Sequence, residues 1–319
     1  MFSWENTLQV IMNSPTQKHI FQNKTIYLKR DDLLSKEFSG NKARKFFYYL
    51  DNEFPNVEKI VSYGSNQSNA MYSLSVLAKL KGWKFDYYVT HVPSYLEENP
   101  HGNYKYALEN GMKLHVGRIT PQALPSVAPI PTKDESILFI EEGGRDVYAE
   151  YGLKILAEEI LVWKEEQGFD AINIFLPAGT GTTALYLGKS FNVGEGTTEG
   201  SACGAPRPTV FTTPCVGNVE YLKEQFKMLE KDVKFHPQII EPSKKRHFGK
   251  LYRESYNIWL KLRHEMGVEF DLLYDPHGWL TLLENPELFD KPLLYIHQGG
   301  LLGNESMLKR YERKYNENI

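Results

Sequence analysis

Residues 28–46 read LKRDDLLSKEFSGNKARKF, and the interpretation of this stretch decides the fold. An apolar strand at 25–28 runs into a charged loop, passes Gly40 and enters an amphipathic helix that begins near Asn41. Lys42 stands at the mouth of that helix. One reading is a solvated surface lysine. The other is a lysine that condenses with a carbonyl cofactor. A nucleophilic amine must be neutral, and the positive end of a helix disfavours its charge. This stretch alone leaves both readings open.

The rest of the chain narrows the classes. With 319 residues there is room for two domains or one large α/β unit. An apolar content of 41% and a charged content of 24% are those of an ordinary globular protein. The net charge of −3 supplies no basic field for nucleic acid or an acidic membrane. No apolar run approaches the roughly 18 residues a membrane span needs. MFSWENTLQVIMNS lacks the basic-then-apolar order of a signal peptide, so a cytoplasmic location is expected. Cys203 and Cys215 make no CxxC motif, and a chain of this size needs no disulfide, so neither a metal nor a redox site is expected. The 20 tyrosines read as bulky core packing.

Beyond an N-terminal arm or first helix over 1–24, the pattern alternates. Strands are expected at 56–62, 83–90 and 112–116, with helices at 70–80 and 101–110 between them, the helices stopping at Gly82 and Gly111. This βαβαβ rhythm implies a parallel sheet with helices on its faces. A proline-rich linker covers 118–136. It is followed by a strand at 137–140, a turn at 141–145, a long helix over 148–165 and a strand at 171–176. Residues 191–208 form a Gly/Thr/Pro-rich loop. After it come a strand at 209–212, a helix at 218–229, a short apolar patch at 239–240, a helix at 250–266 and a strand at 293–297.

Two further segments carry chemistry. GSNQSNA at 64–70 places small polar residues at a helix N-terminus, where exposed N–H groups bind an anion such as a substrate carboxylate; an ordinary N-cap loop is the plain alternative. INIFLPAGTGTTALYL at 172–187 is a strand followed by Gly179, Thr180, Gly181, Thr182 and Thr183 opening a helix. Glycines let the backbone approach a phosphate, and hydroxyls and free N–H groups bind its oxygens. GTGTTA also satisfies the GxGxxA form of a dinucleotide fingerprint, which keeps an NAD(P)-dependent oxidoreductase open. No strand-terminal acid follows at the usual spacing of about twenty residues, and a single phosphate suits the position better.

In combination and in this order, KRDDL…SGNKARKF, GSNQSNA and GTGTT resemble the fold-type II pyridoxal-phosphate enzymes, in particular the 1-aminocyclopropane-1-carboxylate (ACC) deaminase and D-cysteine desulfhydrase family. The resemblance runs from about Leu28 to Gly300. It implies a tryptophan-synthase-β-like α/β protein with two open, largely parallel-sheet domains and helices on both faces. Residues 1–48 and 147–319 would form the large domain, 49–146 the small one, with pyridoxal 5′-phosphate in the cleft between them. It implies that Lys42, not Lys45, is the Schiff-base residue. Ser68 would face the substrate as nucleophile or acid/base group, and Asn69 would hydrogen-bond the cofactor's 3-oxygen. Ser65, Asn66 and Gln67 would hold the substrate carboxylate, residues 179–183 the phosphate. EEGGR at 141–145 resembles the family's PEGG stretch, with Arg145 where a small residue is usual.

The C-terminal part departs from the pattern. Asp275-Pro276-His277-Gly278-Trp279-Leu280-Thr281 stands where the family has (D/T)PVYxGK, after what looks like the family's strand at 273–276. The tyrosine and the Gly-Lys are missing. Tyr274, His277 and Tyr63 are the candidates for the missing proton-transfer group, with Tyr274 taken as catalytic. His297-Gln298-Gly299-Gly300 matches the family's HxGG and implies substrate contacts from His297 and Gln298. Gln298 replaces both the Thr of desulfhydrases and the Leu of deaminases. The implied activity is β-elimination from a small amino acid such as D-cysteine, giving pyruvate, ammonia and sulfide, with ACC ring opening as the alternative. A non-catalytic cofactor binder also remains open. A homodimer is implied by resemblance alone.

Overall fold

The computed structural model describes residues 13–117, 135–192 and 206–315. Strands β1 (Thr16–Phe21) and β2 (Lys24–Arg30) are followed by helix α1 (Gly40–Asp51), β3 (Lys59–Tyr63), α2 (Asn69–Lys81), β4 (Lys84–Val89), α3 (Ser94–Glu98), α4 (Gly102–Glu109), β5 (Met112–Val116) and β6 (Ile137–Ile140). Then come α5 (Ala149–Glu166), β7 (Asn173–Ala178), α6 (Thr182–Asn192), β8 (Thr209–Pro214), α7 (Val219–Leu229), β9 (Gln238–Ile239), α8 (Arg253–Met266), α9 (Asp275–Leu283), β10 (Leu293–His297) and α10 (Gly303–Tyr315). Two sheets result. One runs β1-β2-β10-β7-β8-β9 and is parallel except for the β1–β2 pair. The other runs β5-β4-β3-β6 and is parallel throughout. The expected α/β class with largely parallel sheets is thus observed.

The central strands explain the layering. Every residue of β7 and β10 is buried, as the near-continuous apolar runs of a parallel sheet require. Side chains alternate between faces. Phe175, Leu293 and Tyr295 pack with Trp259, Phe270 and Trp279 of the α8–α9 side. Ile174, Leu176, Leu294 and Ile296 pack with Leu153, Leu156, Ile160 and Leu187 of α5 and α6. The many aromatic residues do fill cores: Trp279 stacks on Tyr295 at 4.6 Å between centroids and meets Phe21 edge-on at 5.4 Å. Residues of α1 (Phe46, Phe47, Tyr49, Leu50) share a core with Ile60, Met71, Leu74 and Phe85 around the smaller sheet.

Two readings from sequence are corrected. Residues 16–21 are a strand, not part of an arm or helix. Gln22 and Asn23 turn the hairpin, both with left-handed φ (49° and 61°), as a tight two-residue turn demands. The 273–276 segment is not a strand. Asp275 opens α9 with Pro276 in its first turn, where a missing N–H costs nothing. Helix α10 went unread. The 118–136 linker and the 191–208 loop fall mostly outside the described residues, as does Cys203; Cys215 is a buried free thiol. Among the described residues no helix is long and apolar enough to cross a membrane.

The KRDD run is divided by the same alternation. Lys29 and Asp31 turn inward to meet Arg44 and Glu159. Arg44 lies 2.9 Å from Asp31 and 2.6 Å from Glu159, and Lys29 lies 2.7 Å from Glu159. Arg30 and Asp32 pair on the other side through two bonds of 2.9 and 2.7 Å. The inward cluster fastens α1 to β2 and α5. Burial alone would raise the Glu159 carboxyl, but the bonds and charges of Arg44 and Lys29 outweigh it and hold it below its ordinary range. Removing one partner leaves uncompensated buried charge. Arg44→Met should therefore cost about 3 kcal/mol or more of unfolding free energy at pH 7. The contribution of Glu159 is present above its unfolded pKa and lost as pH falls through its lower folded value. Urea titrations should therefore show the wild-type advantage shrinking in acid.

Candidate active site

The mouth of α1 is fixed by contact between two backbones. Gly40 has φ +69°, and a Cβ there would sit 2.1 Å from the Gln298 carbonyl oxygen. The Asn41 N–H donates to that same oxygen at 3.0 Å. The Gln298 side chain bridges two elements: its Oε1 accepts from Asn41 Nδ2 at 2.9 Å, and its Nε2 donates to Pro177 O at 2.7 Å. Gln298 therefore ties the α1 entrance to the end of β7.

Lys42 follows at once, in the first turn of α1. It is half-buried by surface area, yet protein packs around its amine. Burial is the main cause that lowers its pKa to about 8, with the Asp271 charge opposing. Its recorded bond is a long one, 3.3 Å to Asn41 Oδ1. Lys45 lies one turn on. Burial first, then the charges of Lys42 and Arg145, push it well below its ordinary value. Its Nζ donates to Gly143 O at 3.2 Å, and no carboxylate among the described residues pairs with it.

The 64–69 loop leads from β3 into α2. Ser68 is the N-cap, its Oγ accepting from Ala70 N at 3.1 Å and Met71 N at 3.4 Å. Gly82 ends the helix in the left-handed conformation. Asn69 Oδ1 accepts from Asn103 Nδ2 at 2.6 Å. Its Nδ2 donates to nothing among the described residues and faces Gly300, where a Cβ would come within 2.4 Å. Ser65 is exposed; its carbonyl accepts from Tyr87 OH at 3.3 Å. Asn66 turns away, donating to His91 O. Gln67 donates to His101 O at 3.2 Å, while its Oε1 is buried without a partner.

The 179–183 loop connects β7 to α6. Gly181 has φ +71°, and a Cβ would strike Phe226 and Leu222 within 2.5 Å. Thr180 and Thr182 hydroxyls lie 3.2 Å apart. Thr182 and Thr183 are buried, and Thr183 Oγ1 has no partner. The 142–144 turn packs on this loop, a Cβ at Gly143 falling 3.0 Å from Thr180. An orphaned hydroxyl, a glycine cup, free helix N–H groups and the Lys45 amine, whose charged form an anion would restore, suit a phosphate.

The expected site residues divide. Lys42, Asn69, residues 179–183, Tyr274 and Gln298 border one region, where the ends of β7 and β10 meet the N-termini of α1, α2 and α6. The Tyr274 ring lies against Gly179, whose Cβ would be 3.3 Å away, and against Phe248 at 5.1 Å; burial raises its pKa. His297 goes elsewhere. It is fully buried, stacked on Phe270 at 4.7 Å, with Nε2 2.7 Å from Glu269 O and Nδ1 accepting from Gly299 N. Its ring shares the face of Leu293 and Tyr295, a fact strand alternation could have revealed. His277 packs near Tyr252, its pKa lowered to about 4 by burial and then by Arg246. Tyr63 donates to Glu141 at 2.6 Å. Arg145 bonds to Glu141 and to Gln225 of α7. The reading from sequence missed Lys45, whose Nζ reaches the 142–144 turn that packs on the glycine cup.

No family model matches the chain. A Pyrococcus horikoshii protein, provisionally named 1-aminocyclopropane-1-carboxylate deaminase, is 24% identical over 313 residues, covering 95% of this chain and 91% of that one. A rice protein (Oryza sativa subsp. japonica), provisionally named mitochondrial D-cysteine desulfhydrase 2, is 23% identical over 56% of this chain and 46% of its own. The crystal structure of an ACC deaminase homologue superposes with a TM-score of 0.71 at 18% identity, over 97% of this chain and 98% of that one. The chain therefore has the fold of the fold-type II pyridoxal-phosphate enzymes and is similar, along nearly its whole length, to a protein named in the ACC deaminase and D-cysteine desulfhydrase family.

Proposed function

We propose that this protein is a pyridoxal-phosphate-dependent lyase or deaminase of a small amino acid, with D-cysteine-desulfhydrase-like β-elimination to pyruvate, ammonia and sulfide as its reaction. The observation that carries the reading is Lys42 in the first turn of α1, its amine enclosed by protein and its pKa lowered by burial, together with an unused Asn69 amide donor at the start of α2 and a glycine–threonine cup with an orphaned hydroxyl at the start of α6. When bound, the cofactor supplies a carbonyl for the lysine and a sink for the electrons left on the substrate's α-carbon.

The protein's own groups do the rest. The α6 N-terminus, Thr182 and Thr183 would hold the phosphate, and Lys45 would neutralise it. Asn69, with its free Nδ2 donor, would hold the cofactor's 3-oxygen. The 65–68 loop, at the N-terminus of α2, holds the substrate carboxylate through backbone N–H groups, with the Ser68 hydroxyl beside it. The Lys42 amine takes the α-proton and holds it as an ammonium. The Tyr274 ring walls the phosphate side. His297 and Asn66 are not given substrate contacts, because their side chains are committed elsewhere.

ACC ring opening to 2-oxobutyrate and ammonia is the second reading, favoured by the names of the Pyrococcus protein and the superposed structure. Elimination is preferred because it asks only for a base and a leaving group, whereas the family's tyrosine is absent. We also propose the division into 1–48 with 147–319 and 49–146, a homodimer and a cytoplasmic location.

Lys42→Ala should abolish the visible absorbance and all turnover. Lys45→Ala should keep the absorbance and bind the cofactor about tenfold or more weakly, as read by fluorescence titration. Offered D-cysteine and ACC in parallel, the purified protein should release pyruvate and sulfide from the first. 2-Oxobutyrate from the second would replace elimination by ring opening.

A further inference from the structure

The 141–145 segment stands beside the glycine–threonine cup, and its last residue has no part in the reading above. Gly143 and Gly144 both take left-handed φ, 70° and 68°. A Cβ on Gly143 would lie 3.0 Å from Thr180 Cγ2, and one on Gly144 would lie 2.7 Å from the Phe46 ring. The turn is thus wedged between the cup and α1, and the Gly143 carbonyl accepts from Lys45 Nζ at 3.2 Å. Two adjacent glycines have much backbone freedom to lose. Something must hold this turn in the one conformation that meets both neighbours.

Arg145 reaches out of the turn in two directions. Its Nη2 donates to Glu141 Oε2 at 3.2 Å, and the same oxygen accepts from Tyr63 OH at 2.6 Å. Tyr63 ends β3 and Glu141 follows β6, and these strands are neighbours in the smaller sheet. Its Nη1 donates to Gln225 Oε1 at 2.5 Å. Gln225 is 4% exposed and lies on α7, whose Leu222 and Phe226 close on Gly181 of the cup. One guanidinium therefore joins the end of the smaller sheet to the helix that backs the cup, with the turn strapped down between them. Charge alone does not account for an arginine here. Burial first, then Lys42, then Arg145 push the Lys45 amine below its ordinary value. What the residue offers is its planar fork, which serves two acceptors in different directions at once.

Resting on the assignment of residues 179–183 as the phosphate cup, we propose that Arg145 is a positioning residue for the phosphate end of the site. By bonding Glu141 and Gln225 together it holds the 142–144 turn against Thr180 and keeps the Gly143 carbonyl on Lys45. A lysine ammonium has three N–H groups. Fixing one of them on Gly143 sets where the other two point.

The test uses the full chain, stripped of carbonyl cofactor by dialysis against hydroxylamine. Pyridoxal phosphate and phosphate-free pyridoxal are titrated in parallel by fluorescence. Arg145→Ser should weaken pyridoxal phosphate about fivefold or more while leaving pyridoxal within about twofold of wild type. Gln225→Leu, which removes the far end of the tie, should do the same. The double variant should be no weaker than either single one, because each breaks the same strap. Arg145→Lys keeps the charge without the fork and should behave as Arg145→Ser. Three results would overturn the proposal. One is a pyridoxal phosphate affinity in Arg145→Ser within about twofold of wild type. Another is an equal loss for both compounds, which marks a general disturbance of the cleft. The third is wild-type binding by Arg145→Lys, which makes charge the cause. Gln225→Leu decides the matter if the Arg145 variants do not fold. A wild-type chain that binds neither compound would sink the proposed function and this inference with it. A wild-type chain that binds both while only the Arg145 result fails would leave the proposed function standing.

Discussion

The placement of Lys42 depends on how closely two backbones meet at Gly40. Its left-handed φ and missing side chain let the end of β10 lie directly against the entrance to α1. The Gln298 carbonyl then accepts the first free N–H of the helix, and the Gln298 amide reaches from Asn41 to the last turn of backbone in β7. One contact thereby sets three things together: where α1 starts, how it stands over the large sheet, and how far the lysine lies from the glycine–threonine cup. A position that differs between branches of the resembling family is here a structural tie. Its amide oxygen and one of its N–H groups are already used by Asn41 and Pro177.

Charge on α1 is distributed by face. Arg44 points toward Asp31, Glu159 and Lys29 and is fully compensated. Lys42 and Lys45 lie off that face with little or no compensation, and burial lowers both. A single helix thus carries an anchored cation on one side and two poorly satisfied amines on the other. Unsatisfied buried amines are costly unless an anion or a carbonyl completes them. That asymmetry is the physical basis for placing the ligand there.

Much of this was legible because it is local. The glycine before Lys42, the serine cap before Asn69 and the GTGTT cup each announce a helix N-terminus within a few residues, and all three are found where the spacing put them. The β1–β2 hairpin was not legible, because Gln22 and Asn23 take left-handed conformations without a glycine to mark them. The Leu-Leu-Tyr-Asp-Pro run resembled a strand end, yet Asp271 bends it into a turn and Asp275-Pro276 starts a helix. The role of Lys45 depends on Gly143 and Arg145, about a hundred residues away in the chain. No local pattern encodes such meetings. His297 is the converse case: its motif pointed to the substrate, while the alternation along β10 sends its ring into the core.

The central claim is that Lys42, rather than its neighbour Lys45, carries the cofactor. It is tested most directly by reducing the cofactor-loaded protein with borohydride, digesting it and mapping the modified peptide by mass spectrometry. The account predicts a pyridoxyl group on Lys42 alone. A pyridoxyl group on Lys45 or elsewhere, or no modified lysine in a protein that binds the cofactor, would contradict it.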